Sequence, residues 1–157
     1  MSIEKVRSFF RPLGREQDIL EFPVSSATVE LAAQAVGVIP ARIAKTLSFL
    51  VEEDCVLIVT AGDARIDNKK YKAFFHTKAK MLTPEQVSQL TGHAIGGVCP
   101  FGNPPGVRTY LDVSLKRFET VFPAAGSSNS AIELTCDELE RYSHCLEWVD
   151  LGKDWEK

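Results

Sequence analysis

The stretch from His93 to Gly106, HAIGGVCPFGNPPG, combines residue types that let a ligand come close to the main chain. Gly96 and Gly97 carry no side chain, so a reacting group can approach their peptide groups, or their φ can turn positive. Pro100 and the Pro104-Pro105 pair stiffen the downstream chain and remove backbone donors. The same pattern also fits a strand end running into a turn. Cys99, inside the stretch, is a nucleophile if His93 or His76 activates it, and otherwise a small buried hydrophobe. Lys45 is bracketed by Ile43, Ala44, Leu47 and Phe49. Its ammonium either snorkels to solvent or turns into a pocket to meet an anion or a carbonyl oxygen. From Arg65 to Lys80 the cations Arg65, Lys69, Lys70, Lys72, Lys78 and Lys80 face only Asp67, interleaved with Tyr71, Phe74, Phe75 and His76. That run is a solvated helix face or a docking patch for phosphates. Gly126-Ser127-Ser128-Asn129 offers backbone N–H groups and small hydroxyls, as a hairpin loop or as a ligand-binding nest.

Standard catalytic sets are absent from the sequence: no GxSxG, no HExxH, no P-loop and no GxGxxG. His76, His93 and His144 lack metal-ligand spacing, and Cys55, Cys99, Cys136 and Cys145 form no CxxC pair. Neither a metal nor a cofactor is expected, and a reducing cytoplasm fits. A net charge of −3 argues against bulk nucleic-acid binding without excluding a local basic patch. No apolar run is long enough for a membrane span, and the N-terminus has no apolar signal region. At 157 residues a single domain is expected.

Periodicity gives the elements that carry these residues. Ser2 opens a helix with Ile3, Val6, Phe9 and Phe10 on one face, ended by Pro12 and Gly14. Leu20, Phe22 and Val24 alternate as a short strand; Ser25-Ser26 opens a helix closed by Gly37; Pro40 to Ala44 is a short helix. Strand character begins at Thr46. LSFLVEE and CVLIVTA form a hairpin around an acidic turn. Lys69 to Phe75 reads as helix, and Thr83-Pro84-Glu85-Gln86 is a capping box for a helix stopped by Gly92. VRTYLDVSL reads as one strand, ETVFPAAG and SAIELT as a second hairpin, and Thr135 caps a helix through Tyr142. A last strand from Cys145 to Val149 precedes a charged tail. Hairpins mixed with helices predict an α+β fold on a mixed, partly closed sheet.

Four segments in order, TVELAAQAVGVIPARIAKTLSF, GDARIDNKKYKAFF, IGGVCPFG and AAGSSNSAIELT, resemble the YbaK/EbsC family. That family includes the editing domain inserted in bacterial prolyl-tRNA synthetases and its free-standing relatives. The resemblance runs from about residue 23 to 149 and implies a barrel-like YbaK fold. It also implies aminoacyl-tRNA deacylation acting in trans on mischarged tRNA, with substrate assistance and no metal. It places the family lysine at Lys45, with Thr46 beside it, and the glycine loop at Gly96-Gly97, continuing through Pro100, Phe101 and Gly102. The second loop falls on Gly126, Ser127, Ser128 and Asn129. Its Ser-Ser-Asn-Ser sequence departs from more basic or aspartate-bearing relatives, which leaves the amino-acid preference open. Arg65, Lys69, Lys70 and Lys72 are the expected tRNA contacts. An aminoacyl-tRNA synthetase is a candidate partner, and a monomer or weak homo-oligomer is expected. The alternatives are a non-catalytic module that binds aminoacyl or nucleotide ligands, and a cysteine enzyme built on Cys99. Residues 1–22 cover the pocket, aid tRNA docking or pack on the core.

Overall fold

The computed structural model describes residues 2–26, 28–93 and 98–155. The strands are β1 (Leu20–Glu21), β2 (Ile43–Val51), β3 (Asp54–Ala61), β4 (Arg65–Ile66), β5 (Arg108–Asp112), β6 (Thr120–Pro123), β7 (Ser130–Ala131), β8 (Leu134–Thr135), β9 (Glu147–Val149) and β10 (Gly152–Lys153). The helices are α1 (Ser2–Phe10), α2 (Val29–Val36), α3 (Asn68–Phe75), α4 (Pro84–Thr91) and α5 (Cys136–Ser143). The fold is α+β, as expected. Six strands in the order β8-β6-β2-β3-β5-β9 make a mixed sheet that curls into a half-barrel. Its centre is the antiparallel β2–β3 hairpin, with β6 parallel to β2, and β5 and then β9 parallel beyond β3.

β3 is buried from Cys55 to Ala61, which explains its continuous apolar run: both sheet faces are covered. On one face Val59, Ala61 and Leu111 pack with Val6, Phe10, Phe101 and Leu139. On the other, Val56 and Ile58 pack with Phe49, Tyr71, Tyr110 and Leu151.

Several boundaries differ from the sequence reading. α2 begins at Val29, because Thr28 rather than the Ser25-Ser26 pair caps it, its side chain accepting from Leu31 N. The Pro40 helix is a single 3₁₀ turn, Pro40–Arg42, and strand structure starts at Ile43, so Lys45 lies within β2. Pairing of Ile43 and Ala44 with Phe122 and Pro123 draws that segment into the sheet. The strand read through VRTYLDVSL ends at Asp112, whose carboxylate accepts from Ser114 N and starts a 3₁₀ turn over Val113–Arg117. In the second hairpin, β6 pairs with β8, while β7 pairs with β1, a partner more than a hundred residues away. The charged tail folds back: β10 pairs with β4, and Leu151 N donates to the buried Asp112 carboxylate.

Within residues 2–22, α1 and Ile19 pack on the core. Val6 and Phe10 are fully buried, and Phe10 meets Phe101 and Tyr142 edge-on. Lys5 Nζ donates to the Thr91 carbonyl at the end of α4, and Arg7 pairs with Glu21.

Candidate active site

A cavity of about 360 Å³ lies where β2 loses its neighbour. The β2–β6 pairing ends at Ala44, and among the described residues the edge is taken up again where Leu82 N donates to Ser48 O and Leu50 N to Lys80 O. Backbone groups of alternate residues point to the same strand edge. The peptide groups of Thr46 therefore face the gap, and every residue from Ile43 to Ser48 contributes to the cavity wall. α2, α4, β6 and β7 complete it through Val29, Val87, Phe122 and Ser130. The lining is mainly apolar, and its side-chain polar groups include Lys45, Thr46, Ser48 and Ser130. Thr46 Oγ1 is buried and has no hydrogen-bond partner among the described residues, an orphan that a bound ligand would satisfy.

Lys45 is half-buried at this cavity, and its Nζ donates a long hydrogen bond, 3.5 Å, to the Gly62 carbonyl. Burial and then the nearby Arg65 cation push its pKa below the ordinary lysine value, against the pull of Asp63 and Glu30. The turn that carries the Gly62 carbonyl is tightly placed: a Cβ at Gly62 would run into the Pro40 carbonyl and Val29. No carboxylate forms an ion pair with Lys45 among the described residues, so its charge is available to a ligand.

Gly96 and Gly97 lie outside the described residues. Val98, the next residue, lines the Lys45 cavity. Downstream the chain turns inward. Pro100 is buried, and Phe101 is wholly buried between Phe9 and Phe10. Pro100 and Gly102 border a second hollow of about 390 Å³, together with Phe9 and His144. Phe101 thus anchors the loop in the core.

The second loop stands next to Ser130 of the cavity wall. Gly126 is buried at φ 95°, a conformation that glycine adopts without strain. Ser127 Oγ hydrogen-bonds to Asn129 Oδ1 at 2.9 Å and to Ser130 Oγ at 2.6 Å. Asn129 Nδ2 donates to the Phe22 carbonyl, and Ser26 donates to the exposed Ser128 carbonyl from both N and Oγ. Segment 22–26 therefore straps this loop, a contact between distant parts of the chain that no local pattern signals.

On α3, the aromatic residues read as interleaved with the lysines turn inward: Tyr71 is fully buried against Phe49 and Phe75. Lys69 and Lys72 are exposed, and Arg65 is exposed on β4. Lys70 is engaged with Asp150 and the Gly152 carbonyl, where it fixes the C-terminal segment.

Cys99 is poorly suited to nucleophilic chemistry. It is fully buried, its Sγ is 3.6 Å from His93 Nε2 and 3.8 Å from the Phe101 carbonyl, and burial pushes its pKa up to about 12. The thiolate, the reactive form, is disfavoured there, and burial also lowers the pKa of His93. Iodoacetamide at pH 7.5 should leave Cys99 unlabelled in the folded protein and label it after denaturation. Rapid labelling of native Cys99, read by peptide mass spectrometry, would reinstate the cysteine mechanism.

Comparison with known proteins agrees with the fold. The uncharacterized protein YwhH of Bacillus subtilis (strain 168) is 58% identical over 157 residues, covering 99% of this chain and 100% of that protein. A proline–tRNA ligase of Thermotoga neapolitana is 31% identical over 125 residues, 79% of this chain but 21% of the ligase. A crystal structure proposed to be a trans-editing enzyme for prolyl tRNA synthetase superposes with a TM-score of 0.87 at 32% identity, covering 97% of both chains. The aminoacyl-tRNA editing domain family matches residues 24–142, from just before α2 to the last turn of α5, and the chain belongs to that family.

Proposed function

We propose that this chain acts as one free-standing editing domain that hydrolyses the ester of mischarged aminoacyl-tRNA. The observation that carries the reading is the convergence of Lys45, the β2 edge at Thr46, unpaired among the described residues, and Val98, the residue after the glycine pair, on one cavity wall. An aminoacyl ester is already activated, so the site's task is to position it and to stabilise developing charge. Water adds to the ester carbonyl, the ribose oxygen leaves with a proton, and a free amino acid and uncharged tRNA result. The ribose hydroxyl beside the ester orients the water. In this reading Lys45 holds the terminal phosphate or the developing oxyanion, and the Thr46 peptide group binds the aminoacyl moiety. The peptide groups of Gly96 and Gly97 approach the ester, and the strapped loop from Gly126 to Asn129 closes the far side. The wall's apolar character selects a side chain by size. Arg65, Lys69 and Lys72 meet tRNA phosphates.

The test is single-turnover deacylation of a panel of mischarged tRNAs, tRNAPro species first, by the full-length protein. Release of amino acid from at least one species, well above the uncatalysed rate, is expected. Tight binding of charged tRNA with no turnover on any species would identify a non-catalytic binding module.

A further inference from the structure

The Lys45 amine sits over one residue of a turn whose next residue, Asp63, is a carboxylate. An ammonium on a flexible four-carbon stem would ordinarily pair with such a neighbour. Asp63 is occupied instead: Arg117 Nη1 donates to its Oδ2 at 3.0 Å and Nη2 to its Oδ1 at 2.6 Å. This two-pronged pairing uses both carboxylate oxygens and is among the stronger side-chain contacts. It holds the Asp63 pKa below the usual carboxylate range.

The guanidinium is itself fixed. Arg117 Nε donates to Ser114 O at 2.9 Å, Nη1 also reaches Trp155 O at 3.2 Å, and the group lies 5.0 Å from the ring centres of both Phe118 and Trp155. The turn is pinned from below as well, because Ala61 N donates to Ser114 Oγ. The 3₁₀ turn after β5 and the C-terminal segment thus grip the turn after β3.

We propose that Arg117 is a positioning residue for the candidate active site: by clamping Asp63 it keeps that carboxylate from capturing the ammonium of Lys45, a residue of the cavity wall, which stays directed to the Gly62 carbonyl. The inference rests on the role given to Lys45 above. The other charged groups acting on Lys45 are Arg65 on β4 and Glu30 on α2. Arg65 repels it, and Glu30 forms no ion pair with it among the described residues, so Asp63 is the carboxylate whose release changes the pairing.

The test uses the full-length protein and the variants Arg117→Ala, Asp63→Asn and their combination. The Lys45 amine is titrated by NMR through its labelled Cε, the signal being identified by its loss in Lys45→Ala. In Arg117→Ala the freed Asp63 pairs with Lys45, and the titration midpoint rises. In Asp63→Asn it does not rise, and the double variant returns close to wild type. Single-turnover deacylation falls about tenfold in Arg117→Ala, as a lost charge-assisted contact would give, and recovers in the double variant. An unchanged Lys45 midpoint in folded Arg117→Ala overturns the proposal, and so does a double variant as slow as the single. If Arg117→Ala does not fold, Arg117→Lys, which keeps the charge and loses the fork, must raise the midpoint in the same direction, and no rise overturns the proposal. A midpoint that moves as expected while deacylation stays constant upholds the clamp and removes Lys45 from the chemistry instead.

Discussion

Replacing Lys45 by alanine should slow deacylation by about a hundredfold to a thousandfold, the range lost when one preorganised group facing developing charge is removed. The fold should survive. Among the described residues the amine makes one long hydrogen bond, to the Gly62 carbonyl, and its burial already disfavours the charge it carries. Far-ultraviolet circular dichroism and the melting temperature of the variant should stay close to wild type. Lys45→Arg should recover activity only in part, since a planar guanidinium does not occupy the place of a compact ammonium.

The pH dependence comes from the same environment. In the role proposed for Lys45 the working form is the cation, so its contribution would be complete below its pKa and disappear as pH rises through it. That pKa lies below the ordinary lysine value of about 10.4, so the alkaline loss begins earlier than for a solvent-exposed lysine. Because the ester itself hydrolyses in alkali, the measurement is binding of an amide-linked aminoacyl-adenosine analogue carrying a 5′-phosphate. Affinity should fall with rising pH in the wild type and be flat in Lys45→Ala over the same range. A wild-type rate retained by Lys45→Ala on a substrate that the protein cleaves would show that the amine has been given the wrong task.

What could be read from the chain alone divides along physical lines. Local signals were dependable. The Thr83 and Thr135 capping boxes both form, and Gly37 and Gly92 end their helices in the left-handed region. The β2–β3 hairpin is made by two apolar runs and a tight acidic turn, with Glu52 at φ 58°. Signals that depend on distant partners were not legible. Leu20 to Val24 alternates like an ordinary strand, yet only two residues pair, and their partner is Ser130–Ala131. Asp112 reads as a strand residue until it is seen buried and accepting from both Ser114 N and Leu151 N. At the site, Lys45 could be singled out because a lysine among apolar residues is anomalous. The Asp63–Arg117 pair could not: Gly62-Asp63 looks like punctuation, and Arg117 lies 54 positions away among ordinary surface residues. The β2 edge that is unpaired among the described residues has no sequence signature either, since it begins where β6 stops pairing.

The largest stability effect is expected at Phe10, which lies outside the family match. Its ring is fully buried, with ring centres 5.1 Å from Phe9, 5.0 Å from Phe101 and 5.4 Å from Tyr142. Phe10→Ala removes a large apolar side chain and leaves a void that helix α1 cannot close without dragging Val6 and Phe9 with it. Such substitutions cost about 3–5 kcal/mol. For a chain of this length that corresponds to a fall of roughly 10 °C in melting temperature. Activity should fall with it at temperatures where the wild type is still folded, because Phe101, the inward anchor of the segment after the glycine pair, loses the ring it packs on. Leu13→Ala is the control: that side chain is 45% exposed and belongs to the same N-terminal segment, and it should change stability by no more than about 0.5 kcal/mol. If both variants melted alike, α1 would be an appendage, and the loop's placement would have to come from elsewhere. If Phe10→Ala alone is strongly destabilised, residues 2–10 are part of the core that positions the active-site wall.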